Sequence, residues 1–195
     1  EKAATMLGLA GVSHFNVRRI EVSVDDEVLV TGAGSIGLMA MQSAKHFGAR
    51  VTLASRTESR RERGLQMGAD AAVDLATAGD LECTALLECA GVEIDSLLDP
   101  KRSPLARFAR VALVAGRERV DYHFLWASMR RISFYQSSHF DQPTLEEVTA
   151  LAASGVLDLG AMISDVVPID DAVAIYDRLR DDPLSVGGTV FDWTV

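Results

Sequence analysis

Residues 27–37 read Glu27-Val28-Leu29-Val30-Thr31-Gly32-Ala33-Gly34-Ser35-Ile36-Gly37, and the fold is decided here. A short apolar run, expected to be a buried strand, stops at a glycine cluster. A helical-looking stretch from Ser35 to Phe47 follows, carrying Ile36, Leu38, Met39, Met41 and Ala44 before Gly48 ends it. G-x-G-x-x-G between a strand and a helix has the context that a bare glycine match lacks. Gly32 is expected to permit the tight turn, Gly34 to let a pyrophosphate approach the backbone, and Gly37 to let helix and strand pack closely. The phosphates would rest on free amides at the helix N-terminus, through Ser35 and Ile36, where the helix dipole favours anions. A ligand-free glycine turn is the plain alternative. A methyl-donor nucleotide site is another, since related folds use similar glycines.

The next strand, Val51-Thr-Leu-Ala54, discriminates among ligands. A site for NAD or a methyl-donor nucleotide wants an acid at its end, about 20 residues beyond the glycines, to grip ribose hydroxyls. This sequence has Ser55-Arg56 there, with Arg60 and Arg61 one helical turn on. A carboxylate would repel a 2′-phosphate, whereas serine and arginine would bind one. The competing expectation is a solvated helix face in which Arg56, Arg60, Arg61 and Arg63 pair with Glu58 and Glu62. We expect NADP(H) to be preferred over NAD(H).

Outward from this centre the alternation continues. A charged helix is predicted from Glu58 to Met67, and short buried strands at Ala71–Val73, Ala85–Cys89 and Val111–Ala115. Arg131–Tyr135 is strand-like. Thr144-Leu-Glu-Glu147 reads as a capping box opening a helix with Leu145, Val148 and Leu151 on its apolar face and Gly155 at its end. Asp170 is expected to cap a further helix whose buried stripe is Ala172, Val173, Ile175, Tyr176 and Leu179. Pro183 and Gly187-Gly188 then punctuate before a strand at Thr189–Phe191. Strands this apolar, alternating with helices, imply an α/β fold: a doubly wound (Rossmann) parallel sheet with helices on both faces. We expect one nucleotide-binding domain over 1–195, with a lead-in at 1–20 and a closing helix and strand at 165–195.

The 195 residues are 48% hydrophobic and 24% charged, which excludes disorder, collagen and coiled coil. Nineteen basic against 28 acidic residues leave a net charge of −9, so bulk attraction to a phosphate backbone, and with it nucleic-acid binding, is not expected. The apolar runs break before the roughly 18 residues that a membrane span needs. Two cysteines and no export signal point to a reducing cytoplasm.

With these elements in place, the chain resembles the medium-chain dehydrogenase/reductase superfamily, which includes zinc alcohol dehydrogenases and quinone reductases. The resemblance runs through Glu1-Lys-Ala3-Ala4, the Val28–Gly37 loop, Ala44-Lys45 with Gly48-Ala49, and Met67-Gly68-Ala69-Asp70. It continues in Glu88-Cys89-Ala90-Gly91, Val111 to Gly116, and the tail from Val167-Pro-Ile-Asp through Ala172 and Tyr176 to Gly188-Thr-Val. It implies an oxidoreductase that transfers a hydride between NADP(H) and a small-molecule alcohol or carbonyl. Ala90, Gly91, Ala115 and Gly116 would lie along the ribose and nicotinamide. It also implies a separate N-terminal catalytic domain, about as long as this chain, so that the chain alone would be incomplete for catalysis, consistent with its start at Glu1. Zinc would belong only to a full-length parent, because an ungapped match puts Gly8 where zinc members carry a metal-binding cysteine. Leu7–Ser13 is at least as similar to the zinc-free quinone or enoyl reductases, whereas the glycine loop and Glu88-Cys-Ala-Gly are similar to the alcohol and polyol branch. The resemblance further implies pairing of two copies through an edge strand, with Arg131–Tyr135 the candidate.

Other chemistry finds no purchase. His14, His46, His123 and His139 show no metal-ligand spacing, and Cys83 and Cys89 read as small apolar residues of a buried strand. No metal site is expected in the chain. Tyr122, Tyr135 and Tyr176 lack a lysine four residues on, and no G-x-S-x-G elbow occurs. Ser13 and His14 would lie near the nicotinamide on the resemblance, but a satisfied structural role is the stronger expectation. Catalytic residues are left unassigned. A non-catalytic nucleotide-binding module is the reading from another class.

Overall fold

Chain order follows the apolar pattern. The computed structural model describes residues 2–91, 95–182 and 186–194. In it α1 (Leu7–Arg19) leads into β1 (Glu27–Thr31), α2 (Ser35–His46), β2 (Arg50–Ala54), α3 (Glu58–Gln66) and β3 (Ala71–Val73). Then come β4 (Cys83–Glu88), the single turn α4 (Asp95–Leu98), β5 (Leu105–Leu113), α5 (Phe124–Arg130), β6 (Ser133–Gln136) and α6 (Gln142–Ala153). The described chain closes with β7 (Asp165–Pro168), α7 (Ala172–Asp181) and β8 (Thr189–Asp192). Glu1 and Pro183, both used in reading the sequence, lie outside the described residues.

Strands β1 to β6 form one parallel sheet in the order β3-β2-β1-β4-β5-β6. Successive residues face opposite sides. Val28, Val30, Ala85 and Leu87 meet Val17 of α1, Leu38 and Met41 of α2 and Val148 of α6 on one face. Leu29, Leu86 and Val111 meet Leu97, Leu98 and half-buried Trp126 on the other. A strand covered on both faces needs apolar residues at every position, which is why these runs read as continuous. The doubly wound α/β sheet is thus the observed architecture. The order reverses between β1 and β4, so a crevice opens at their carboxyl ends.

Three sequence expectations are corrected. Helix α6 starts earlier than the capping box suggested: Asp141 accepts from the Thr144 amide at 3.0 Å and from its hydroxyl. Aspartate ahead of a first-turn proline, Pro143, is an equally strong start signal three residues upstream. Glu147 therefore does not reach back; it pairs with Arg18 of α1 at 2.9 Å. Asp170 makes no side-chain cap: it sits in a 3₁₀ turn, Ile169–Asp171, ahead of α7. The expected buried stripe of α7 is largely outside, for Ile175 is buried but Val173 is 74% and Tyr176 63% exposed. The chain leaves the main sheet here: β7 and β8 pair with each other in a separate two-stranded parallel sheet, and Tyr176 of α7 stacks on Phe191 of β8.

Candidate nucleotide-binding site

A cleft of about 480 Å³ lies at the carboxyl ends of β1, β2 and β4, walled by Gly32, Ala33, Gly34, Ser55, Arg56, Arg60 and Ala90 among others. Gly32 turns the chain with φ +88°, and a Cβ there would lie 2.9 Å from the Ala90 Cα. Gly37 touches the loop itself, since a Cβ would fall 1.8 Å from the Gly32 carbonyl oxygen. At Gly34, by contrast, a Cβ would meet nothing within 4 Å, so the backbone there is open to a ligand. Among the described residues no side chain caps α2, which leaves its first-turn N–H groups, including those of Ser35, Ile36 and Gly37, without intrahelical acceptors. These three residues do not wall the cleft. Ser35 and Ile36 are half-buried in the first turn, and the Ile36 carbonyl accepts from the Ser13 hydroxyl at 2.9 Å.

The arginines divide into two pairs. Arg61 donates to the Ser55 carbonyl at 2.8 Å and to Asp74 Oδ2 at 2.9 Å, while Arg63 donates to the Ala161 carbonyl. Both are committed to the protein, and neither pairs with Glu58 or Glu62. Arg56 and Arg60 wall the cleft and have no polar partner among the described residues. Ser55 is buried between them and β3, its amide donating to the Val73 carbonyl at 3.1 Å.

Ala90 and Gly91 follow β4, whereas Ala115 and Gly116 follow β5 and line a second cleft of about 480 Å³ with Gln136, Ser137 and Ser138. Between the clefts lies a group whose role the sequence did not disclose. Glu88 is fully buried; its Oε1 accepts from the amides of Ala90 (3.0 Å) and Gly91 (3.1 Å), and its Oε2 pairs with Arg117. Burial lowers the Arg117 pKa from its ordinary value. An acid ending an otherwise apolar strand was the available signal.

Ser13 and His14 are sealed between helices. Ser13 donates to the Leu9 and Ile36 carbonyls, both at 2.9 Å. His14 Nδ1 bonds to Ser43 Oγ, its ring stacks on Phe47, and Nε2 stands 3.3 Å from Glu147 Oε1 without hydrogen-bond alignment. Burial is the main cause of its lowered pKa, outweighing the Glu147 carboxylate. Both side chains are thus fully buried and hydrogen-bonded inside the fold.

A reversal of strand order, a glycine turn at its crevice and an open helix N-terminus define a dinucleotide-fold protein. Matching the zinc-binding dehydrogenase family over residues 35–154, the chain belongs to that family, within the medium-chain dehydrogenase/reductase superfamily. It is 31% identical over 185 residues to L-threonine 3-dehydrogenase of Saccharopolyspora erythraea, covering 88% of this chain and 52% of that protein. Among solved structures, a Sinorhizobium meliloti protein bound to NADP superposes with a TM-score of 0.79 at 20% identity, over 89% of this chain and 54% of that one. An alcohol dehydrogenase of Escherichia coli CFT073 complexed with NADH gives 0.80 at 18% identity, over 93% and 56%. The chain spans about half the length of the curated relatives it matches.

The family description mentions zinc, and the donors here do not suit it. Among the described residues no three His, Cys, Asp or Glu side chains converge to hold a metal ion. Cys83 opens β4 and Cys89 follows its end, about 20 Å apart at strand rise. Burial pushes each thiol up to about 12.

Proposed function

We propose that this chain is the NADP(H)-binding part of a medium-chain oxidoreductase that moves a hydride between the nicotinamide and a small alcohol or carbonyl. The observation that carries it is the pair of uncommitted guanidiniums, Arg56 and Arg60, walling the cleft beside Ser55 where an NAD site would keep an acid. A 2′-phosphate would receive charge-assisted donors there and meet no carboxylate at position 55. The pyrophosphate would lie over Gly32 and Gly34 against the first-turn amides of α2, through Ser35, Ile36 and Gly37. Ala90, Gly91, Ala115 and Gly116 would border the ribose and nicotinamide. When bound, the cofactor supplies the hydride chemistry; the chain orients it and keeps its phosphates paired.

The relatives named for L-threonine favour a small hydroxylated substrate, and two free thiols agree with a reducing, cytoplasmic setting. The exposed apolar residues Val173, Tyr176 and Trp193 are suited to docking the remainder of a longer chain. The free edge of β6 and the exposed Phe124, Leu125 and Met129 of α5 are suited to a second copy.

Ser55→Asp tests the cofactor reading. The added carboxylate is expected to weaken NADPH about tenfold or more, by repulsion and by pairing with the free arginines, and to improve NADH by offering the ribose hydroxyls an acceptor. Unchanged NADPH affinity would refute a 2′-phosphate seat at Ser55 and Arg56.

A further inference from the structure

Glu88 is a fully buried carboxylate to which the cofactor reading gives no task. Besides the Ala90 and Gly91 amides, its Oε1 accepts from the Thr31 hydroxyl at 3.3 Å, and its main-chain carbonyl accepts from the Val114 and Ala115 amides, both at 3.0 Å. Arg117, paired to Oε2, donates through Nε to the Ala115 carbonyl at 3.2 Å. The two turns meet, for a Cβ at Gly91 would stand 3.6 Å from that of Ala115. One residue thus ties the turn after β4 to the turn after β5.

A buried ion pair is a poor source of stability, because desolvating both charges offsets most of their attraction, and apolar side chains of the same shape hold a sheet as well. It is a good source of geometry. A carboxylate already committed to two amides and a planar guanidinium fork fit together in few arrangements. The geometry fixed here belongs to Ala90–Gly91 and Ala115–Gly116. Ser55, Arg56 and Arg60 stand beyond β1, on the β2 and α3 side of the sheet.

We propose that Glu88 and Arg117 are positioning residues for the nicotinamide end of the dinucleotide, acting through the two turns they hold and not by touching the cofactor. This rests on the NADP(H) reading above. Glu88→Gln isolates the effect. Its amide oxygen can go on accepting from Ala90, Gly91 and Thr31, but its amide nitrogen presents a donor to Arg117, itself a donor, and the Arg117 arm is released.

The 195-residue chain and its variants are titrated with NADPH and with adenosine 2′,5′-bisphosphate, which carries the phosphorylated ribose and no nicotinamide. Glu88→Gln is expected to weaken NADPH at least tenfold, to move the bisphosphate less than twofold, and to shift the fluorescence of bound NADPH toward that of the free cofactor. Arg117→Lys, which keeps the charge, is expected to retain NADPH affinity that Arg117→Met loses. Equal losses for both ligands, or unchanged NADPH binding, overturn the positioning role. Should Glu88→Gln fail to fold, the Arg117 pair of variants carries the same comparison between ligands. Wild-type chain that binds neither ligand overturns the cofactor reading itself, a result distinct from wild-type binding with no split between the two.

Discussion

A methyl group at position 37 has nowhere to go, since the carbonyl it would strike belongs to Gly32, at the turn that shapes the cleft. Gly37→Ala must move α2, the loop or both. It is expected to destabilise the chain by roughly 1–3 kcal/mol, as overpacking does, and to lose NADPH binding with it; urea unfolding and titration of the same sample check both. His14 gives a pH prediction. Its pKa is depressed in the folded chain, chiefly by burial, so below the ordinary value of about 6.5 the unfolded chain binds a proton that the folded chain does not. Its contribution is present above that pH and lost as pH falls through the folded value. The urea midpoint is expected to drop from about pH 7.5 to about 5.5, above the carboxylate range, and His14→Gln should flatten that drop. An identical slope in the variant would assign the drop to another group.

At the scale of elements, Asp141 holds the start of α6, and its hydrogen bonds from Thr144 keep its carboxyl below the usual carboxylate range. Asp141→Ala is expected to lower the melting temperature by about 2–4 °C, whereas Asp141→Asn, an equally good cap, should change it little. Strands β1, β2 and β4 were legible because burial on both faces writes itself as unbroken apolar runs, and the glycine loop because its backbone demands cannot be met otherwise; β5 begins at Leu105, ahead of the expected Val111, because exposed Arg107 and Phe108 interrupt its apolar run. Helix α1 was hidden: Gly8 and Gly11 weaken its propensity, and buried Ser13, His14 and Asn16 break its stripe. Helix α5 was missed for the opposite reason, its apolar Phe124, Leu125 and Met129 facing outward. Position 55 was legible as the end of a strand. Which arginines were free was not, because Asp74 and the Ala161 carbonyl, which engage Arg61 and Arg63, are distant in sequence.

For the whole molecule, α5 exposes Phe124, Leu125 and Met129 and leads into β6, whose outer edge is unpaired among the described residues. Light scattering is expected to report twice the 21.0 kDa chain mass, and Leu125→Glu with Met129→Lys to halve it while leaving NADPH binding intact. A monomeric wild type would refute pairing through α5 and β6. Calorimetric titration of the unmodified chain with NADPH and NADH reads the cofactor preference itself. A charge-assisted contact from Arg56 or Arg60 is worth about 1.5–3 kcal/mol, so NADPH should bind about ten- to a hundredfold more tightly than NADH. Equal affinities, or tighter NADH, would contradict the 2′-phosphate seat and with it the cofactor assignment.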